Sequence, residues 1–224
     1  MSSRVSCDHC GASVVDFTPT KRVIESVDRA LTAGSKSLAA GEFKYFAQCT
    51  DGEATAWVNH LLSCAYAWPQ AEADQAVLHQ IDAAFADADK PEHFTDPTHC
   101  NECREHDETL RARTRETLQR NDVGNLGWDP IVFSSADGVG YFFPALARFA
   151  LLPDVWHDNN WYAVQLLSYL AWEGSENKLR AWSSPPRRQG VQKLLSHLAI
   201  TRSDAIAKHN AGEDLHNALT VWGV

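Results

Sequence analysis

The sequence predicts a mainly α-helical, all-α fold: a bundle-like single core carrying one metal-binding loop–helix segment. Three observations predict it. Apolar residues recur at helical spacing in one segment after another. No period-2 alternation of useful length, internal repeat or low-complexity tract interrupts them. Histidine and cysteine are concentrated in Pro91–Asp107, PEHFTDPTHCNECREHD, where they form a set of soft and borderline metal ligands. The 224 residues suffice to bury a sizeable core without covalent staples. With 44% apolar and 22% charged residues, the chain has the composition of an ordered globular protein.

In chain order, Cys7-Asp8-His9-Cys10-Gly11 comes first. Cys-x-x-Cys-Gly is a zinc-knuckle turn, in which glycine lets backbone N–H groups point at the thiolates. Thr18-Pro19-Thr20 reads as a helix start with proline in the first turn. Val23, Ile24, Val27, Ala30 and Leu31 then follow at helical spacing, with Gly34 as the stop. Ala54, Trp57, Val58, Leu61, Leu62 and Ala65 make a second amphipathic helix that closes before Pro69. The polar stretch 69–75 is a plausible boundary, dividing an N-terminal helical extension with the knuckle (1–70) from a helical core domain (71–224). Val77, Leu78, Ile81, Ala84 and Phe85 form the next helix, stopped by Lys90-Pro91.

The ligand segment opens as a loop, because Pro91 and Pro97 disfavour helix in the residue before each. From Thr98, as N-cap, it is expected to run helical through Arg104, Leu110 and Leu118, with Cys100 and Cys103 near the first turn. Residues 121–130 are turn-rich, and Ile131-Val132-Phe133 is expected as a short strand or extended chain. Tyr141–Leu152 reads as a helix with Pro144 in its first turn. Trp161–Trp172 is apolar on nearly every side and is expected as the most buried helix. Ser183-Ser184-Pro185-Pro186 starts a further helix through Ala199, and the last carries Leu215, Ala218, Leu219 and Trp222.

Two ligand sets compete. On a helix His99, Cys103 and His106 share one face, Cys100 borders it, and His93 sits six residues before His99 across a loop. The local set is then His93, His99, Cys100 and Cys103. The alternative joins the two Cys-x-x-Cys pairs, Cys7, Cys10, Cys100 and Cys103. Either set would hold zinc in a closed tetrahedral site, and local supply favours the first. His60 and Cys64, four apart on a helix, read as core edge because Cys64 adjoins the apolar stripe. His157, His197, His209 and His216 are isolated.

Several function classes fall away. A thioredoxin-like redox role needs a βαβ neighbourhood. A zinc deaminase needs His-x-Glu ahead of Pro-Cys-x-x-Cys, whereas His106-Asp107-Glu108 follows its Cys-x-x-Cys. No Gly-x-Ser-x-Gly elbow, phosphate loop or dinucleotide fingerprint occurs. A net charge of -9 gives no general attraction to nucleic acid or an anionic membrane. The N-terminal residues lack the apolar run of a signal peptide and no stretch reaches membrane-span length, so a cytoplasmic location is expected.

The stretch PEHFTDPTHCNECREHDETL, followed by GNLGWDP and GYFFPALARFAL, resembles an uncharacterised bacterial family of helical proteins, a domain of unknown function. That family carries a His/Cys segment, a Gly-Asn-x-Gly-Trp-Asp-Pro loop and a Tyr-Phe/Tyr-x-Pro-Ala helix. The resemblance covers residues 74–224 and implies that His93, His99, Cys100 and Cys103 belong to one feature. It implies no activity.

The expected function is a zinc-stabilised helical protein working through contacts with a protein partner, with neither nucleic acid nor membrane as partner. One alternative is a metal-dependent enzyme, with three ligands from His93–His106, an open water position, and Glu102, Glu105 or Glu108 as general base. Another is a regulatory or immunity-type module whose carboxylates meet a basic partner.

Overall fold

The computed structural model describes residues 3–17, 20–33, 35–68, 71–154 and 161–224. The expectations placed on Thr18-Pro19, Gly34, Pro69 and His157 lie outside the described residues. The fold is mainly α: twelve helices and one two-stranded sheet among the described residues.

The sheet is an antiparallel ribbon of β1 (Arg4–Ser6) and β2 (Ser13–Val15), with Arg4 opposite Val15 and Ser6 opposite Ser13. The strands were not anticipated, since three residues are too few for a pattern. Between them Gly11 donates its N–H to the Cys7 carbonyl at 2.9 Å, and Cys7 donates to the Ala12 carbonyl at 2.8 Å. Gly11 sits at φ +71, a conformation that glycine adopts without strain.

Three helices follow. α1 (Lys21–Thr32) buries Val23, Val27, Ala30 and Leu31. α2 (Lys36–Ala47) was not anticipated. Its buried face is only Ala39, Ala40 and Phe43, too thin a stripe to read, although Ser35 caps it by accepting the Leu38 N–H. α3 (Asp51–Ser63) opens with a reciprocal capping box, Thr50 with Glu53, and buries Ala54, Trp57, Val58, Leu61 and Leu62. Phe43 stacks on Trp57 at 3.7 Å between ring centres, locking α2 to α3.

α4 (Glu72–Ala84) leads through a loop to α5 (Asn101–Arg111). The cap of α5 is Cys100 rather than Thr98. Asp96 accepts both the Thr98 N–H, at 2.9 Å, and its hydroxyl, at 2.6 Å, so an Asx turn uses up that side chain. α5 also stops short of Leu118, because Thr114 and Thr117 exchange hydrogen bonds in a turn of their own.

The expected strand at Ile131–Phe133 is instead one helical turn, α6 (Pro130–Phe133). Asp129 caps it by accepting the Ile131 N–H at 2.9 Å, and Pro130 occupies the first turn, where its missing N–H costs nothing. α7 (Ala136–Leu151) begins earlier than expected, at the Ser135 cap, which puts Pro144 inside the helix rather than in its first turn. The bulk of α7 is buried, as is that of α8 (Tyr162–Ala171). α9 (Lys178–Trp182), α10 (Pro185–Thr201), α11 (Ser203–Lys208) and α12 (Gly212–Trp222) complete the chain.

α7 packs on α4, α8 and α9, and α10 packs on α4 and α12. The apolar core is continuous from Val23 in α1 to Trp222 in α12. Polar contacts tie the N-terminal helices to the rest. Arg148 of α7 grips Asp82 of α4 through two hydrogen bonds, 2.8 and 2.6 Å, and lies 4.2 Å over the ring of Tyr66, just after α3. Cys64 pairs as an isolated bridge with Gln119. Among the described residues no helix is long and apolar enough to cross a membrane.

Candidate metal centre

The β1–β2 ribbon lies against α3, and its knuckle presents Cys7 and Cys10 to the C-terminal end of that helix. There His60 occupies the last turn and Cys64 is the C-cap, where the chain leaves the helix in an extended conformation. The donor atoms of Cys7, Cys10, His60 and Cys64 all lie within 4.8 Å of one another. Cys10 Sγ and His60 Nδ1 are 3.8 Å apart. Three of the four residues are half-buried and Cys64 is fully buried. His9, on the knuckle, stacks on Tyr66 at 5.4 Å and fixes the turn against the chain just after α3. This group could hold a metal ion.

The electrostatics of the bare thiols are mixed. Burial pushes the Cys64 thiol up to about 12, reinforced by the neighbouring Cys10 and Cys7. Burial also raises Cys7, but backbone N–H groups of Cys10 and His9 outweigh it and bring that thiol below its ordinary value. Burial lowers the pKa of His60, and the charge of His9 lowers it further, so the imidazole is held neutral and able to ligate. Three sulfurs pressed together in a half-dry site repel one another as thiolates. A divalent cation at their centre removes that repulsion and drives off the thiol protons.

A second group lies on α5. His99, Cys100 and Cys103 bring their donors within 4.8 Å of one another. Cys100, the N-cap, accepts the Cys103 N–H at 3.4 Å, and Cys103 Sγ is 3.5 Å from His99 Nδ1. Backbone N–H donation from Cys103 draws the Cys100 thiol below its ordinary value, while burial raises Cys103 to about 11.

The structure thus sorts the expected ligands into different places. Cys7 and Cys10 meet His60 and Cys64, not Cys100 and Cys103. His99, Cys100 and Cys103 meet one another. His93 joins neither group: its Nδ1 is 2.8 Å from Asp107 Oδ2, and the same carboxylate accepts the Phe94 N–H at 2.7 Å. His106 is buried, edge-on to Trp128 at 4.7 Å and against Phe133 at 5.5 Å. Its Nε2 lies 3.4 Å from Glu102 Oε1, and Glu105 and Glu108 are exposed elsewhere on the helix. The reading of His60 and Cys64 as core edge missed two members of the four-donor group. Their signal was the spacing itself, His-x-x-x-Cys at a helix end.

A cleft of about 910 Å³ lies apart from both groups. Its inward charges are largely matched: Asp74 bonds to His197 at 2.6 Å and Arg202 at 2.8 Å, and Asp154 bonds to Lys208 and His209.

Comparison with protein-family models, with curated protein sequences and with solved structures finds no match to this chain.

Proposed function

We propose that the chain is a zinc-stabilised helical protein that acts through contacts with another protein. The observation that carries the first half is the convergence of Cys7, Cys10, His60 and Cys64 from two elements far apart in sequence. Three thiolates and an imidazole select zinc or a close relative over harder cations. Four protein donors leave no place for a reacting water, so the ion's work is structural: it clamps the ribbon to α3. A reducing compartment such as the cytoplasm, where the thiols stay reduced, suits that chemistry.

The second half rests on the surface beside α5. Leu126, Trp128, Val132 and Phe133 are between 42% and 49% exposed within one eight-residue stretch. Trp128 and Phe133 both contact the His106 ring, so they belong to one patch. Clustered large apolar side chains at the surface mark interaction sites, and a half-exposed tryptophan is a favoured anchor.

The test has two arms. Cys64→Ser should remove one zinc per chain and lower the melting temperature together; loss of zinc without a change in melting would sink the structural reading. Trp128→Ala with Phe133→Ala should leave melting within a few degrees of the parent and abolish association with any partner the parent binds. A partner that binds the double variant as tightly as the parent would show that the patch is not the contact surface.

A further inference from the structure

We propose that His99, Cys100 and Cys103 hold a second metal ion, and that its fourth coordination position takes a donor from outside the chain. This stands apart from the knuckle centre, with which it shares no residue.

The group has the features of a site that is built on one side and open on the other. Cys103 is 4% exposed, and its carbonyl accepts the Thr95 hydroxyl at 2.5 Å, so the loop before α5 is pinned beneath it. Cys100 is fixed as the helix cap by the Cys103 N–H. His99 is placed by the Asx turn at Asp96, whose backbone carbonyl also accepts the His99 N–H at 3.2 Å. Three donors are therefore held by separate backbone devices before any ion arrives, which lowers the cost of assembling the site. On the outer side both His99 and Cys100 are exposed.

The residue best suited by sequence to close the tetrahedron is engaged elsewhere. His93 Nδ1 binds the buried Asp107 carboxylate, which the Phe94 N–H also holds. Bringing His93 to the ion would cost both the pair and the packing of Phe94, a fully buried ring stacked on Phe142 at 4.8 Å. Zinc with two thiolates, one imidazole and a free position binds water at rest and exchanges it for a better donor. The incoming group is a single imidazole, thiolate or carboxylate, the donors this class of ion accepts. Binding Zn²⁺ here releases the two thiol protons of Cys100 and Cys103, and with the two thiolates, the neutral His99 imidazole and a water the centre is neutral overall. An anionic donor would make it an anion.

The experiment uses the full chain, purified reduced and without chelator. Elemental analysis should find two zinc ions per chain, falling to one in His99→Ala and in Cys100→Ser, both exposed positions where folding is not at stake. His93→Ala should retain two. With cobalt in place of zinc, added imidazole should shift the visible d–d bands of the parent and leave those of His99→Ala unchanged, since its remaining cobalt is enclosed by four protein donors. One metal per chain in the parent, with Cys100 and Cys103 recovered as free thiols or as a disulfide, would overturn the proposal. So would loss of the second ion in His93→Ala, which would mean that His93 closes the site, or cobalt bands in the parent that ignore imidazole.

Discussion

His60→Ala separates the metal from every other property of α3. The substitution sits in the last turn of the helix, and alanine is the better helix former by about 0.6 kcal/mol. It also removes a half-buried imidazole whose charged form is penalised by burial. Local effects therefore favour the variant, and any loss of stability reports the missing ligand. Two routes give the size of that loss. Cys10 and His60 are 50 residues apart, and cross-linking a loop of that length restricts the unfolded chain by about 4 kcal/mol in the chain-entropy model. Linkage gives a similar figure, about 4.1 kcal/mol when free metal stands 1,000-fold above its dissociation constant.

A domain of this size shifts its melting midpoint by roughly 2–4 °C per kcal/mol, so the expected fall is roughly 8–16 °C, less a degree or two for the improved helix. Scanning calorimetry with and without chelator is the assay. Chelator should bring the parent down close to the variant and should move the variant far less. A variant that keeps its full complement of zinc and melts with the parent would refute the assignment of His60 as a ligand. A variant that loses zinc yet melts with the parent would refute the clamp.

Gly124→Ala should destabilise by about 3 kcal/mol or more, read as the urea midpoint, because φ is +61 and the new methyl would lie 1.8 Å from the Trp128 carbonyl oxygen; an unchanged midpoint would mean the 124–130 loop is not held as described. Arg202→Ala should cost about 3–5 kcal/mol by leaving the buried Asp74 carboxylate with His197 alone, and adding Asp74→Asn should recover part of it. Burial raises Asp129 from 3.8 to about 6, so between those values the folded chain holds the extra proton and stability falls as pH rises through the window. The penalty on the charged form reaches about 3 kcal/mol above it, and the stability difference between the parent and Asp129→Asn should change across that pH range and be flat at pH 7–8.

The helices that could be read from the sequence are those with a long apolar stripe or a strong cap. Trp57, Val58, Leu61 and Leu62 announce α3, and Val191, Leu194, Leu195 and Leu198 announce α10. α2 hides because alanine supplies most of its buried face, and α9 and α11, of five and six residues, are too short for periodicity to show. Ile131-Val132-Phe133 reads as β by composition, yet the Asp129 cap and Pro130 decide the matter locally. There a backbone hydrogen-bonding device overrides side-chain propensity, and such a device is legible only when the capping residue is weighed before the apolar run.

The four-donor group was half legible for a different reason. Cys-x-x-Cys-Gly declares itself because all its geometry is local: the turn, the left-handed glycine and both thiols lie within five residues. His60 and Cys64 declare nothing alone, since a histidine and a cysteine one helical turn apart beside a leucine stripe look like the edge of a core. What makes them candidate ligands is the approach of the ribbon, and the ribbon in turn owes little to its own strands. Arg4, Val5 and Ser6 are all exposed, and a three-residue pair of this kind does not stand unaided in water. Its ordering must come from what it rests on: Val15 buried against the helices, His9 stacked on Tyr66, and the four donors drawn together at the end of α3. The strands thus lean on the donor group and its neighbours rather than standing as a scaffold of their own, and a reading that seeks strands first and donors second will find neither.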